Sequence, residues 1–234
     1  MTLPRTLEPE VMDTAEDAED YDAMDHSEVN ARFIGDLLAF VERAHGSLGR
    51  VLDVGTGTAL IPIGLCTRAP DVVVEAIDLA DNMLALGRRN VERAELSDRI
   101  SLQKLDAKKT AWMNGAFGVV VSNSIVHHIP EPADVLREMW RLVAKGGTLF
   151  VRDLLRPESA ASVDALVDTY APPSVGAEAS VSAREGRQRA LFAASLHAAL
   201  TVTEVQAMVA PLGIAKDDVS VTSDRHWTLA SKKP

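Results

Sequence analysis

The sequence predicts an α/β protein, a doubly wound and mostly parallel sheet with helices on both faces, and three observations carry that prediction. Residues 50 to 153 alternate short apolar strands with helical stretches, the mark of successive βα units. The first strand, Val51-Leu52-Asp53-Val54, is apolar on both sides of the pleat apart from its acid, as a parallel strand covered by helices must be. It runs straight into Gly55-Thr56-Gly57-Thr58-Ala59, where two glycines remove Cβ atoms from a tight turn that must also approach a ligand.

The elements follow in order. Residues 1–28 are rich in Asp and Glu, and their first twenty hold few large apolar residues, so they read as an acidic segment or flap whose extreme end does not pack. Residues 29–234 read as a single domain. From Ser27, which fits an N-cap, Val29, Phe33, Leu37, Phe40 and Val41 recur at helical spacing. A helical run from Leu60 to Arg68 follows the glycine turn, and a second strand, Val72 to Ile77, ends in Asp78. Leu79 to Leu84 starts the next helix. The third strand, Arg99 to Lys104, leads to Asp106-Ala107, and the fourth, Phe117 to Asn123, leads to Ser124-Ile125-Val126-His127-His128-Ile129-Pro130.

A helix from Pro132 to Ala144 is then closed by Lys145, which suits the helix dipole, and Gly146-Gly147 opens the fifth strand at Thr148 to Asp153. Pro157 to Tyr170 reads as a helix stopped by Ala171-Pro172-Pro173. Residues 174–183 read as a loop or lid, followed by helices from Arg184 to Ala198 and from Thr203 to Leu212. Thr203 and Gln206 have capping-box spacing. A helical lid insertion at about 155–200 is expected.

At 234 residues and 47% hydrophobic the chain can build one sizeable core. Its formal charge of −10 argues against a nucleic-acid partner, whose phosphates are met mostly by Lys and Arg. The single Cys66 excludes an internal disulfide and suits a reducing, cytoplasmic setting. Without an eighteen-residue apolar run or a signal peptide, no membrane insertion is expected. Six scattered histidines offer no spacing for a metal, and none is predicted. Nothing in the sequence fixes an oligomeric state.

Two successive strand ends carry the acids Asp53 and Asp78, and an unpaired acid is costly to bury, so a ligand or helix N-terminus is expected beside them. Asp78 can take both ribose hydroxyls through its two oxygens. A pyrophosphate is disfavoured, because Leu60 stands at the third position of the dinucleotide glycine pattern and Asp53 would repel it.

The stretch D-x-G-x-G-x-A with Asp78 resembles the class I S-adenosylmethionine-dependent methyltransferases, and the segment from Ser124 to Pro130 resembles their small-molecule branch, which includes quinone-biosynthesis enzymes. The ordered resemblance spans roughly residues 20 to 155. Ala59, where a third glycine often stands, is a mild departure. It implies a seven-stranded Rossmann-like sheet closed by antiparallel strands at 217–222 and 226–231. It also implies S-adenosylmethionine bound by Asp53, Gly55, Gly57, Asp78, Leu79, Met83, Asp106, Ala107, Ser122 and Asn123, and a small-molecule methyl acceptor.

Such chemistry needs chiefly in-line alignment, and a base only when the nucleophile arrives protonated. His127 is the candidate base. The competing reading is that both His127 and His128 only bond the backbone or cap the next helix. Tyr21, His128, Arg152, Asp153 and His197 are candidates for holding the acceptor; the alternatives are a surface helix start at Tyr21, a structural partner within the loop at His128, and, for Arg152, Asp153 and His197, tying the C-terminal helices to the sheet. Other functions are an S-adenosylmethionine-binding protein with different chemistry or a lost catalytic site, and a protein or RNA methyltransferase, which the acidic charge disfavours. Leu60 disfavours a nicotinamide dehydrogenase.

Overall fold

Strands that are apolar on both faces need a cover on each, and the chain supplies one from either side. The computed structural model describes residues 3–11, 13–174 and 179–234. Two helices, α1 (Ala15–Asp22) and α2 (Ser27–Arg43), precede the sheet, which then builds as β1 (Arg50–Val54), α3 (Leu60–Arg68), β2 (Val73–Asp78), α4 (Asp81–Arg93), β3 (Ile100–Lys104), β4 (Phe117–Asn123), α5 (Pro132–Leu142) and β5 (Val143–Leu154). The chain continues through α6 (Ala160–Tyr170), α7 (Ala179–Ala198), α8 (Val202–Val209), β6 (Val219–Ser223) and β7 (His226–Lys232).

The strand order is β3-β2-β1-β4-β5-β7-β6, with β1 to β5 parallel and β7 antiparallel to both β5 and β6. Alternation along β1 sends Val51 to one face and Leu52 and Val54 to the other. Val51 joins Phe33, Leu37, Leu65, Val119 and Phe150 in a core under α2 and α3. Leu52 and Val54 join Val120, Leu136, Met139 and Trp227 in a core under α5 and α8. The chain reverses its direction of winding between β1 and β4, so the carboxyl ends of these strands open a crevice there.

The structure corrects several expected boundaries. The helix expected to reach Ala144 ends at Leu142, because Val143 pairs with Phe117 and the residues that follow belong to β5. Lys145 therefore lies on a strand, and the ladder overrides the helical pattern. The capping box forms at Thr201 and Glu204, not at Thr203 and Gln206. Ser159 caps α6 by accepting from the Ser162 N–H, so that helix starts later than Pro157. His26 holds the cap position of α2, and Ser27 is its first residue. Of the expected lid at 174–183, residues 175–178 lie outside the described residues and 179–183 open α7.

The N-terminal segment is not loose where it is described. Ala18 of α1 packs on Ala80 and Met83 beside α4. Ahead of it Leu3 packs on Leu154, Val163 and Leu196. Arg5 donates to the carbonyls of Ala198, His127 and Ile129 at 2.8 to 3.0 Å. Residues 3–11 thus form a strap across the carboxyl edge of the sheet. Among the described residues, no helix is long and apolar enough to cross a membrane.

Candidate functional site

The site starts from the bend after β1. Gly55, Gly57 and Ala59 all have positive φ, at 73°, 54° and 65°, and Ala59 caps α3 from the left-handed region. The Gly55 and Thr56 N–H groups donate to the Ile77 carbonyl at 2.8 and 3.0 Å, which ties the bend to β2. The Gly57 N–H then donates to Asp78 Oδ2 at 2.8 Å, and the Ala80 N–H donates to Oδ1 at 2.9 Å. Asp78 therefore fixes the bend and the start of α4 together. Burial pushes its carboxyl above the usual range, against the opposing pull of these N–H groups. Each oxygen keeps acceptor capacity for a ligand hydroxyl.

These groups line a cleft of about 870 Å³ counted with its open mouth. Leu79, Met83, Leu105 and Ala107 make an apolar wall, with Asp106 at its edge. Tyr21 stands over the bend, its ring 3.8 Å from where a Gly57 Cβ would lie. Burial pushes the Tyr21 phenol up to about 12, with the charges of Asp78 and Asp53 adding to the rise. Asn123 faces the cleft with its Oδ1 buried and unpaired. Asp53 lies beneath the bend, only 2% exposed, with Oδ2 also unpaired. Burial raises its carboxyl to about 7, and Asp78 contributes to the rise.

The far end of the cleft is built by the short helical turn Val126–His128. Asp153, at the end of β5, accepts from the Val126 and Leu154 N–H groups at 2.6 Å and faces His127 Nδ1 at 2.5 Å. Glu8 of the strap places Oε1 3.5 Å from His127 Nε2 and 3.0 Å from His128 Nδ1. Burial alone would lower His127, but Asp153 and then Glu8 outweigh it and hold the imidazole above its ordinary range. Burial alone would raise Glu8, and His128 and His127 bring it below the usual value.

The fold brings Gly55, Gly57, Asp78, Leu79, Met83, Asp106, Ala107, Asn123, Tyr21 and His128 to the cleft wall. Other expected residues lie elsewhere. Strand alternation turns Ser122 away from Asn123, and its hydroxyl donates to the Val54 carbonyl inside the sheet. Arg152 points toward α2, pairs with Asp36 at 2.7 Å and donates to Thr228 at 2.9 Å, so it braces the core and does not meet an acceptor. His127 is buried behind the wall, and it is His128 that borders the cleft. Asp153 is fully buried under the loop, and His197 lends its carbonyl to the Thr6 N–H away from the cleft.

Glu10, Val11, Lys108, Ile125 and Ile129 also line the cleft and were not legible as site residues. Lys108 pairs with both Glu10 and Asp106, which fastens the strap beside the apolar wall. Lys108 was the most findable of them, two residues beyond Asp106.

A seven-stranded sheet in this order, with an antiparallel β7, a glycine bend after β1 and an acid closing β2, defines a Rossmann-like methyltransferase fold. Residues 52–151 match the family described as a methyltransferase domain. Over 103 residues the chain is 37% identical to phosphatidylethanolamine N-methyltransferase of Cereibacter sphaeroides, covering 44% of this chain and 49% of that one. Over 187 residues it is 27% identical to 27-O-demethylrifamycin SV methyltransferase of Amycolatopsis mediterranei, covering 79% of this chain and 61% of that one. The chain thus spans between about half and three-fifths of the length of these curated relatives. Among solved structures, a putative S-adenosylmethionine-dependent methyltransferase of Methanococcus maripaludis superposes with a TM-score of 0.71 at 18% identity, over 98% of each chain. Residues 52–151 thus match a methyltransferase domain, and the fold of the chain is that of the S-adenosylmethionine-dependent methyltransferase family.

The residues present fit that family's cofactor. Gly57 leaves the space under Tyr21 free of a Cβ, Asp78 keeps lone pairs for a diol, and the unpaired Asn123 oxygen suits ammonium or sulfonium charge, while the buried Asp53 does not line the cleft and acts on it only through its charge.

Proposed function

We propose that this protein methylates a nucleophilic atom of a small organic acceptor, with S-adenosylmethionine as donor. The single observation that carries the proposal is the cleft at the carboxyl ends of β1 and β2, where Asp78 holds the Gly57 and Ala80 N–H groups and still faces the cavity. The sulfonium supplies an already activated methyl group. The chain then has to bind, align and exclude water. Asp78 would hold the ribose, Leu79 and Met83 the adenine faces, Asp106 its amino edge, and Asn123 the amino-acid end, with Asp53 acting on that end only through its charge.

The acceptor would lie toward His128 and Ile129, under the strap. His128 is the side chain placed to take a proton from a protonated nucleophile, while His127, fixed by Asp153, sets the shape of the loop. The rifamycin and phosphatidylethanolamine enzymes support a small organic acceptor, with a quinone-like ring as one class to test. The charge of −10 speaks against nucleic acid, and the single, buried Cys66 suits the cytoplasm. The test is calorimetric titration with S-adenosylmethionine and S-adenosylhomocysteine, followed by product analysis across hydroxylated and amino aromatic acceptors. Absence of binding by both nucleosides would overturn the reading.

Binding should also depend on pH in a fixed sense. The Asp53 carboxyl, raised to about 7, keeps its proton below that pH, whereas the cationic end of the cofactor favours the ionised form. Affinity should therefore rise with pH up to about 7 and level off above it, with proton release on binding at pH 6. Calorimetry in buffers of different ionisation enthalpy measures that release, and Asp53→Asn should abolish it.

A further inference from the structure

Behind the acceptor end of the cleft, three ligand-type atoms converge: His127 Nε2, His128 Nδ1 and Glu8 Oε1, all within 4.8 Å of one another. Glu8 Oε1 stands 3.5 Å from the first and 3.0 Å from the second. Zinc bonds of about 2.1 Å at tetrahedral angles place neighbouring ligand atoms roughly 3.4 Å apart, so both edges through Glu8 already have a metal site's dimensions. The Glu8 side chain is only 7% exposed, and its Oε1 and the His128 Nδ1 are buried with no hydrogen-bond partner.

The protons sharpen the case. Asp153 accepts two backbone N–H groups and faces His127 Nδ1, so a neutral His127 carries its proton on Nδ1 and turns the bare lone pair of Nε2 toward Glu8. Two lone pairs at that distance repel, and either a proton or a metal ion between them removes the repulsion. Asp153 is also the outer partner that orients a metal-binding imidazole in known sites.

We propose that Glu8, His127 and His128 form a site for one divalent transition-metal ion of the zinc type. Two nitrogens and one oxygen favour zinc or cobalt over magnesium or calcium, which prefer all-oxygen shells. Three protein ligands leave a fourth position, and His128 borders the cleft, so that position opens toward the acceptor. There the ion would polarise an acceptor oxygen and ease loss of its proton, replacing His128 in that role because an imidazole bound through Nδ1 keeps its hydrogen on Nε2, and this selects hydroxylated acceptors. That consequence rests on the methyl-transfer reading; the site itself does not.

The experiment uses the full chain, stripped with chelator and titrated with Zn²⁺ by calorimetry and with Co²⁺ by visible absorption. One equivalent should bind, with the intense d–d bands of a low-coordinate cobalt centre. Glu8→Gln should weaken Zn²⁺ binding at least tenfold while S-adenosylhomocysteine binds as in wild type. Asp153→Asn should weaken Zn²⁺ binding by roughly 10- to 100-fold, because the outer partner is lost. Substoichiometric binding in the wild type, or unchanged Zn²⁺ affinity in Glu8→Gln, would mean that protons alone bridge these groups, and would overturn the proposal. Both outcomes can be read even if S-adenosylhomocysteine does not bind.

Discussion

Gly55→Ala is expected to destabilise the protein by roughly 2 to 5 kcal/mol, the sum of a left-handed backbone penalty and an overpacking penalty. The residue has φ +73°, and an added Cβ would fall 2.1 Å from Ile125 Cγ2 and 2.8 Å from two further Ile125 atoms. Ile125 cannot retreat easily, because its turn is anchored through Val126 to Asp153. Urea unfolding measures the loss. The double variant Gly55→Ala with Ile125→Ala should recover the overlap with Cγ2 and Cδ1, and retain both the backbone part of about 1 to 2 kcal/mol and the 2.8 Å contact with the Cβ that alanine keeps. A single variant with the wild-type midpoint would show that the bend does not pack against Ile125 in this way.

Asp78→Ala should lower affinity for S-adenosylhomocysteine at least a hundredfold while the chain still folds. Two charge-assisted hydrogen bonds to a diol, at roughly 1.5 to 3 kcal/mol each, correspond to that loss or more. The same carboxylate holds the Gly57 and Ala80 N–H groups, so its removal also loosens the bend. Stability should fall less than affinity, because burial already disfavours this charge. Asp78→Asn, which keeps one acceptor oxygen, should lie between the two. Calorimetry beside circular dichroism separates binding from folding, and an unchanged Kd would remove Asp78 from the site.

What the sequence made legible depends on how local the signal is. The five parallel strands and the glycine bend were readable because hydrophobic period and backbone sterics act over neighbouring residues. Asp78 was readable because an acid ending an apolar strand needs a reason to be there. Side-chain direction was harder. Ser122 and Asn123 are adjacent, but only the register of β4 against β1 decides that Asn123 faces the cleft. His127 lies behind the wall and His128 on it for a similar reason, since the His127 ring is held by Asp153, 26 residues away, and the His128 ring faces Glu8 of the strap.

The strap was illegible for a different cause. Extended chain has no period to detect, and its anchors are long-range: Arg5 reaches Ala198, 193 residues away in sequence. The metal-type cluster shares this origin. Adjacent histidines alone have no chelating spacing, and Glu8 joins them only through the tertiary fold.

The strap is pinned by Arg5 at one end and by Glu10 on Lys108 further on, and Asp13 accepts from the Asn82 N–H just beyond. Glu10 and Val11 of this ribbon border the cleft, so its fastenings shape the rim that an incoming molecule meets.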